Sequence, residues 1–216
     1  MAPTCGSGGV CGRPAAAKVL LAVAVGWSYP RGVNAFVEDL VCASEAVGEL
    51  LGAVQAEQWD APTPCSAWNV REVVDHLVGV NLTFAALVEG GPMPARDGGH
   101  LGDDPVEAYR TSTASVLAAF ARPGVLERDF GGATGADRLR LRLADLITHG
   151  WDLAQATGIP VELPDEIAEQ SLSFLEQQLA IRPRGGQFAE AQPIDVAAPA
   201  LDRLAAFAGR PVPFQT

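Results

Sequence analysis

The sequence predicts an all-α protein, an antiparallel helical bundle with short additional helices at its C-terminal end. Three observations carry this. Apolar residues recur at spacings of three and four along most of the chain. Several of these runs open on an N-cap residue and close on Gly or Pro. No run alternates strongly between apolar and polar residues as a half-buried strand would. Amphipathic helices in succession bury their stripes against one another.

Composition sets the outer bounds. A chain of 216 residues, 48% apolar and 19% charged, suits one folded domain with its own core. The net charge of −11 repels phosphate backbones and argues against nucleic acid as a partner. The densest basic stretch, Arg138, Arg140 and Arg142, is flanked by Asp137 and Asp145. Four cysteines, Cys5, Cys11, Cys42 and Cys65, fit neither a zinc-finger spacing nor a dense disulfide framework, so they read as reduced thiols of a cytoplasmic protein. No apolar run reaches the roughly 18 residues of a membrane span. The longest approach, Val19 to Trp27, follows Arg13 and Lys18 in the manner of a signal peptide, but Ser28-Tyr29-Pro30-Arg31 offers no small-residue cleavage site. Residues 1–34, rich in Gly, Ala and Pro without helical period, are expected to be a flexible extension, and 35–214 the domain.

The elements follow in order. Phe36, Leu40, Ala43, Val47 and Leu51 build the stripe of a first helix from about Asn34 to Trp59, which Pro62-Thr63-Pro64 breaks. Asn69 caps the second helix, with Glu72 three residues on as in a capping box. Its stripe is Val70, Val73, Leu77, Val80, Phe84 and Leu87, and it ends at Gly90-Gly91-Pro92. After a Gly- and Asp-rich loop, Asp104 caps a third helix with Pro105 at its first position, running to about Ala121. Residues 125–136 read as a loop. The fourth helix starts near Asp137 and ends before Gly158 and Pro160. A fifth follows Pro164, and a last short one covers about Val196 to Ala208.

Three histidines are the candidates for chemistry. His76 falls beside Val73, Val80 and Leu87 on the wheel of the second helix, at the edge of the core stripe. Position alone favours a core-edge histidine bonded to a neighbour. His149 follows Asp145 by four residues, which puts imidazole and carboxylate on one face, one turn apart, a spacing that can share one ion. Asp152 lies on the same side, but so do Arg138 and Arg142, and a solvated, salt-bridged face fits that pattern as well. His100, in the glycine-rich loop, reads as exposed and without a role. Cys65 is a candidate nucleophile or fourth ligand. Eleven residues at about 1.5 Å each would set it roughly three turns from His76, so we read it as a packed, inert thiol. No GxSxG elbow, Walker A loop, dinucleotide fingerprint or HExxH appears.

Two stretches point further. PTPCSAWNVREVVDHLVGVN, Pro62 to Asn81, and LADLITHGWDLAQATG, Leu143 to Gly158, resemble the two signature segments of the actinobacterial DinB-like metal-binding proteins, relatives of the N-terminal domain of mycothiol-dependent maleylpyruvate isomerase. The tail ALDRLAAFAGRP, Ala200 to Pro211, resembles the closing helix of that family. The resemblance implies a DinB-like four-helix bundle that holds a divalent metal, zinc, with His76, Asp145 and His149. In the isomerase the carboxylate is a glutamate; here it is Asp145, one methylene shorter. Three protein ligands leave a position open to water or a thiolate. The isomerase carries a further domain, and this chain ends at Thr216, so maleylpyruvate isomerisation is not expected to carry over.

Three functions compete at this point. One is a mycothiol-dependent S-transferase or isomerase acting on a small electrophile. Another is a non-catalytic metal- or ligand-binding module, such as a sensor. The third is a helical interaction domain with an empty site. A monomer or homodimer, without nucleic-acid or membrane partners, fits each.

Overall fold

Six α-helices form where the apolar stripes run in the computed structural model, which describes residues 31–95, 98–181, 184 and 188–214. They are α1 (Arg31–Ala53), α2 (Val70–Glu89), α3 (Pro105–Phe120), α4 (Gly135–Thr157), α5 (Asp165–Ile181) and α6 (Ala200–Phe207), with one 3-10 turn at Ala56–Gln58. Among the described residues β-structure amounts to two isolated bridges, Pro62 with Asn69 and Asp129 with Thr134. The expected all-α bundle is what forms. None of these helices is long and apolar enough to cross a membrane. The expected extension up to residue 30, with Cys5, Cys11 and the apolar run, lies outside the described residues; α1 begins at Arg31, three residues before Asn34.

The caps act as their residue types dictate. The Glu72 N–H donates to Asn69 Oδ1 and the Asn69 N–H to Glu72 Oε2, each at 2.9 Å. Asp104 Oδ1 accepts from the Val106 and Glu107 N–H groups, with Pro105 in the first turn. Boundaries differ where a local competitor wins. α1 stops at Ala53 instead of Trp59, because the carbonyls of Trp59 and Ala61 accept from the Arg71 and Val70 N–H groups at the start of α2. α4 starts at Gly135 because Thr134 is the cap and Asp137 answers it from the third position. α6 starts at Ala200, since Asp195 turns the preceding residues by accepting from Ala197 N–H. α5, with 17 residues, is a full-length helix and not a short one.

α4 is the central element: it packs against α1, α2, α5 and α6, while α3 packs against α1 and α2. The order around the bundle is therefore α1, α3, α2, α4. Pairwise contacts give the directions. His76 meets Asp145 and Asn81 meets Arg142, so α2 and α4 run antiparallel. Asn81 meets Ser112 and Thr113, and Phe84 meets Phe120, so α2 and α3 run the same way, joined by the crossover 90–104. Phe36 meets Arg140 and Val47 meets Gly150, which sets α1 alongside α4 and hence against α3.

The core runs through Leu40, Leu50, Leu77, Leu139, Leu146 and Leu153, all at most 1% exposed. Each such side chain contributes about 1.5–3 kcal/mol through removal from water. α4 is buried nearly all round from Leu139 to Leu153, and its polar residues are buried with it. The solvated-face reading fails here: Arg142 is 1% exposed and Asp152 is fully buried. Polar groups so placed must find partners inside the protein, and those partners make the site.

Candidate metal centre

The antiparallel contact of α2 and α4 brings His76, Asp145 and His149 together. His76 Nε2 lies 3.2 Å from Asp145 Oδ1, and His149 Nε2 lies 3.7 Å from the same oxygen. The two imidazole centroids are 4.9 Å apart. One donor atom from each residue falls within 4.8 Å of the other two. His149 is buried at 6% exposure, whereas His76 and Asp145 are half-buried and leave the cluster reachable from one side.

Each ligand candidate on α4 is held from behind. His149 Nδ1 lies 2.9 Å from Asp152 Oδ2. Asp152, one turn further, also receives Arg210 in a forked pair, Nη2 to Oδ2 at 2.8 Å and Nε to Oδ1 at 3.1 Å. Burial alone would raise the Asp152 carboxyl; the His149 bond and Arg210 outweigh it and hold it below the usual range. An ionised Asp152 accepts only, so Nδ1 carries a proton toward it and Nε2 is the nitrogen turned toward Asp145. Arg210 reaches this place because Trp151 Nε1 donates to Asp202 Oδ1 at 2.7 Å, tying α6 to α4.

Asp145 is anchored through its other oxygen. Arg142 Nη1 donates to Asp145 Oδ2 at 3.0 Å, and Arg142 Nε to Asn81 Oδ1 at 2.8 Å. Asn81 Nδ2 in turn reaches Ser112 and Thr113 on α3. Burial pulls the Arg142 pKa down while the Asp145 charge opposes this. At Asp145 burial again pushes upward, but the His76 hydrogen bond and the charges of His76, His149 and Arg142 carry the carboxyl far below its ordinary range. Oδ1 is thereby left facing the two imidazoles. Two imidazole nitrogens and one carboxylate oxygen, with His149 and Asp145 oriented by Asp152 and Arg142, are a donor set that suits zinc or a similar divalent ion.

Residues 59–69 close one side of the cluster. Thr63 Oγ1 donates to the Trp68 carbonyl at 2.7 Å, and the Trp68 N–H to the Cys65 carbonyl at 2.8 Å. This turn lays the Trp68 indole over both imidazoles, 4.5 Å from His76 and 5.6 Å from His149, centroid to centroid. It also corrects the reading of Cys65. Counting helical rise placed that thiol three turns away, but residues 65–69 precede the helix and fold back. Cys65 Sγ, a His149 nitrogen and an Asp152 oxygen lie within 4.8 Å of one another. Burial pushes the thiol pKa up; Arg210 opposes this and Asp152 adds to it.

A cleft of about 490 Å³ opens beside His76, lined by Trp68, Glu72, Asp75, Thr83 and His100 among others. The expectation of an exposed His100 is overturned: the residue is half-buried and forms a wall of this cleft. Asp152, Arg142, Arg210, Trp68 and Asn81 were not singled out as site residues from the sequence. Spacing carried a signal for two of them, Asp152 three residues after His149 and Arg142 three before Asp145. Arg210 is 58 residues from Asp152 in sequence and carries no such local mark.

Known proteins share sequence with this chain. The sequence model of the mycothiol maleylpyruvate isomerase N-terminal domain family matches residues 40–154. The chain is 35% identical over 178 residues to "Uncharacterized protein MT0763" of Mycobacterium tuberculosis (strain CDC 1551 / Oshkosh), covering 79% of this chain and 94% of that one. The same figures hold for "Uncharacterized protein Rv0738" of Mycobacterium tuberculosis (strain ATCC 25618 / H37Rv). No solved structure matches. With its helical bundle, its match over more than half its length and its mycobacterial relatives, the chain belongs to the mycothiol maleylpyruvate isomerase N-terminal domain family.

Proposed function

We propose that this cytoplasmic protein binds one divalent metal ion, zinc, through His76, Asp145 and His149, and uses it to engage a low-molecular-weight thiol such as mycothiol. The observation that carries this reading is the convergence of three donor atoms within 4.8 Å, two of them held from behind by buried partners. A divalent ion at such a site supplies Lewis acidity that lowers the pKa of a thiol. The chain's own residues do the rest. Asp152 keeps His149 in the tautomer that accepts at Nε2. Arg142 holds Asp145 so that one oxygen faces inward. Trp68 shields the imidazoles from water on one side, and the cleft beside His76 receives the remainder of the thiol. The family's mycothiol chemistry supports the choice of thiol, and S-transfer or isomerisation of a small electrophile is the reaction class that follows.

The test is turnover of a panel of electrophiles by metal-loaded protein, with and without mycothiol. A thiol-dependent rate that disappears in His76→Ala supports the reading. Thiol binding without turnover anywhere in the panel reduces it to a metal- and ligand-binding module. Absence of both contradicts it.

A further inference from the structure

The loop at residues 98–100 is built around one carboxylate. Asp75 Oδ1 accepts from the His100 N–H at 2.7 Å, and Asp75 Oδ2 from the Gly99 N–H at 3.2 Å. Gly98 has φ +83°, and a Cβ there would lie 2.7 Å from Asp75 Oδ2, so the wrap requires glycine. The clamp delivers the His100 side chain to one spot on α2. Its imidazole sits against Gly79, where a Cβ would stand 2.8 Å from the ring Cδ2 and 2.9 Å from Nε2. Gly79 is three residues from His76 on the same helix and lines the same cleft. A helix-interior glycine costs helix propensity relative to alanine, and here its return is the notch that seats a histidine.

We infer that His100 is a ligand-binding residue of the cleft, giving it specificity for thiols that carry a hydrogen-bonding group such as a hydroxyl beside the sulfur. This rests on the functional reading above and adds to it the selection of the thiol. The surroundings support a polar occupant. Glu72, Asp75, Thr83 and His100 contribute polar side chains to a wall otherwise formed by groups such as Trp68 and Val80. Both Asp75 oxygens and one Glu72 oxygen are engaged by backbone N–H groups. The His100 ring makes no such local cap, and as an imidazole it both donates and accepts.

The experiment compares two small thiols, 1-thioglycerol and its apolar counterpart 1-propanethiol, on the cobalt-loaded full chain, read by the thiolate-to-cobalt absorption. The wild type is expected to prefer 1-thioglycerol by about fivefold, the value of one net hydrogen bond. Both His100→Ala and Gly79→Ala should bring the preference to about one while cobalt affinity stays unchanged, and His100→Gln should restore part of it. Gly79→Ala is the sharper variant, because it improves helix propensity and displaces only the ring. A preference that survives both variants, or none in the wild type, overturns the proposal. Imidazole NMR of the metal-free chain separates it from the metal reading. Failure to bind cobalt counts against the metal; His100 ring signals that 1-thioglycerol leaves unmoved count against the cleft.

Discussion

His149 Nδ1 lies 2.9 Å from Asp152 Oδ2, in the interior of α4, and Arg210 grips the same carboxylate from beyond α6. The pair decides which imidazole nitrogen faces the cluster. Asp152→Asn keeps the shape but removes the charge that fixes the tautomer. Metal affinity should fall by about 10- to 100-fold, measured by competition with a chromophoric chelator. An unchanged affinity would assign Asp152 to Arg210 alone.

Arg142 is 1% exposed and links Asn81 to Asp145. Arg142→Met leaves Asn81 Oδ1 without its donor and Asp145 without its anchor. Stability in urea should drop by about 3 kcal/mol, as when one partner of a buried pair is removed. A loss under about 1 kcal/mol would show that the network is not coupled to folding.

Much of this was legible in the sequence, and the failures have particular causes. Asn69 with Glu72 and Asp104 with Pro105 marked two helix starts because caps are local chemistry. His76 at the edge of its stripe, and Asp145 four residues before His149, gave two weak signals that the family resemblance joined into one site. Periodicity left the face of Arg142 open between a ligand face and a solvated one, because a wheel shows which side a residue is on and not what covers it; α2 covers that side. Cys65 was misplaced because helical rise was applied to a turn. His100 looked idle because its role depends on Asp75 and Gly79, both more than 20 residues earlier.

Gly135 opens α4 under the 121–134 connection, and a Cβ there would lie 2.0 Å from the Val125 carbonyl oxygen. Backbone cannot turn aside as a side chain can. Gly135→Ala should therefore cost at least about 2 kcal/mol. Gly150→Ala, whose Cβ would meet Val47 Cγ2 at 2.9 Å, should cost less because that side chain can rotate. Urea unfolding of the two variants checks the order; equal losses would contradict it.

Tyr109 is 1% exposed and donates to the Ser44 carbonyl at 3.1 Å. Burial, partly offset by Arg142, pushes its pKa from 10.0 up to about 12. A group whose folded pKa is raised contributes fully below its unfolded value and loses that contribution as pH climbs through the folded one. Stability should fall between about pH 10 and 12 by about 3 kcal/mol in total. In Tyr109→Phe this part of the alkaline loss should vanish. Identical alkaline profiles for the two proteins would refute the assignment.

The central claim is that His76, Asp145 and His149 hold one ion. Metal content of the full chain, purified without a polyhistidine tag and dialysed against zinc, tests it most directly. The account predicts about one equivalent per chain in the wild type and close to none in His149→Ala, with the helical circular dichroism preserved. Near-zero metal in both proteins, or one equivalent in both, would contradict it.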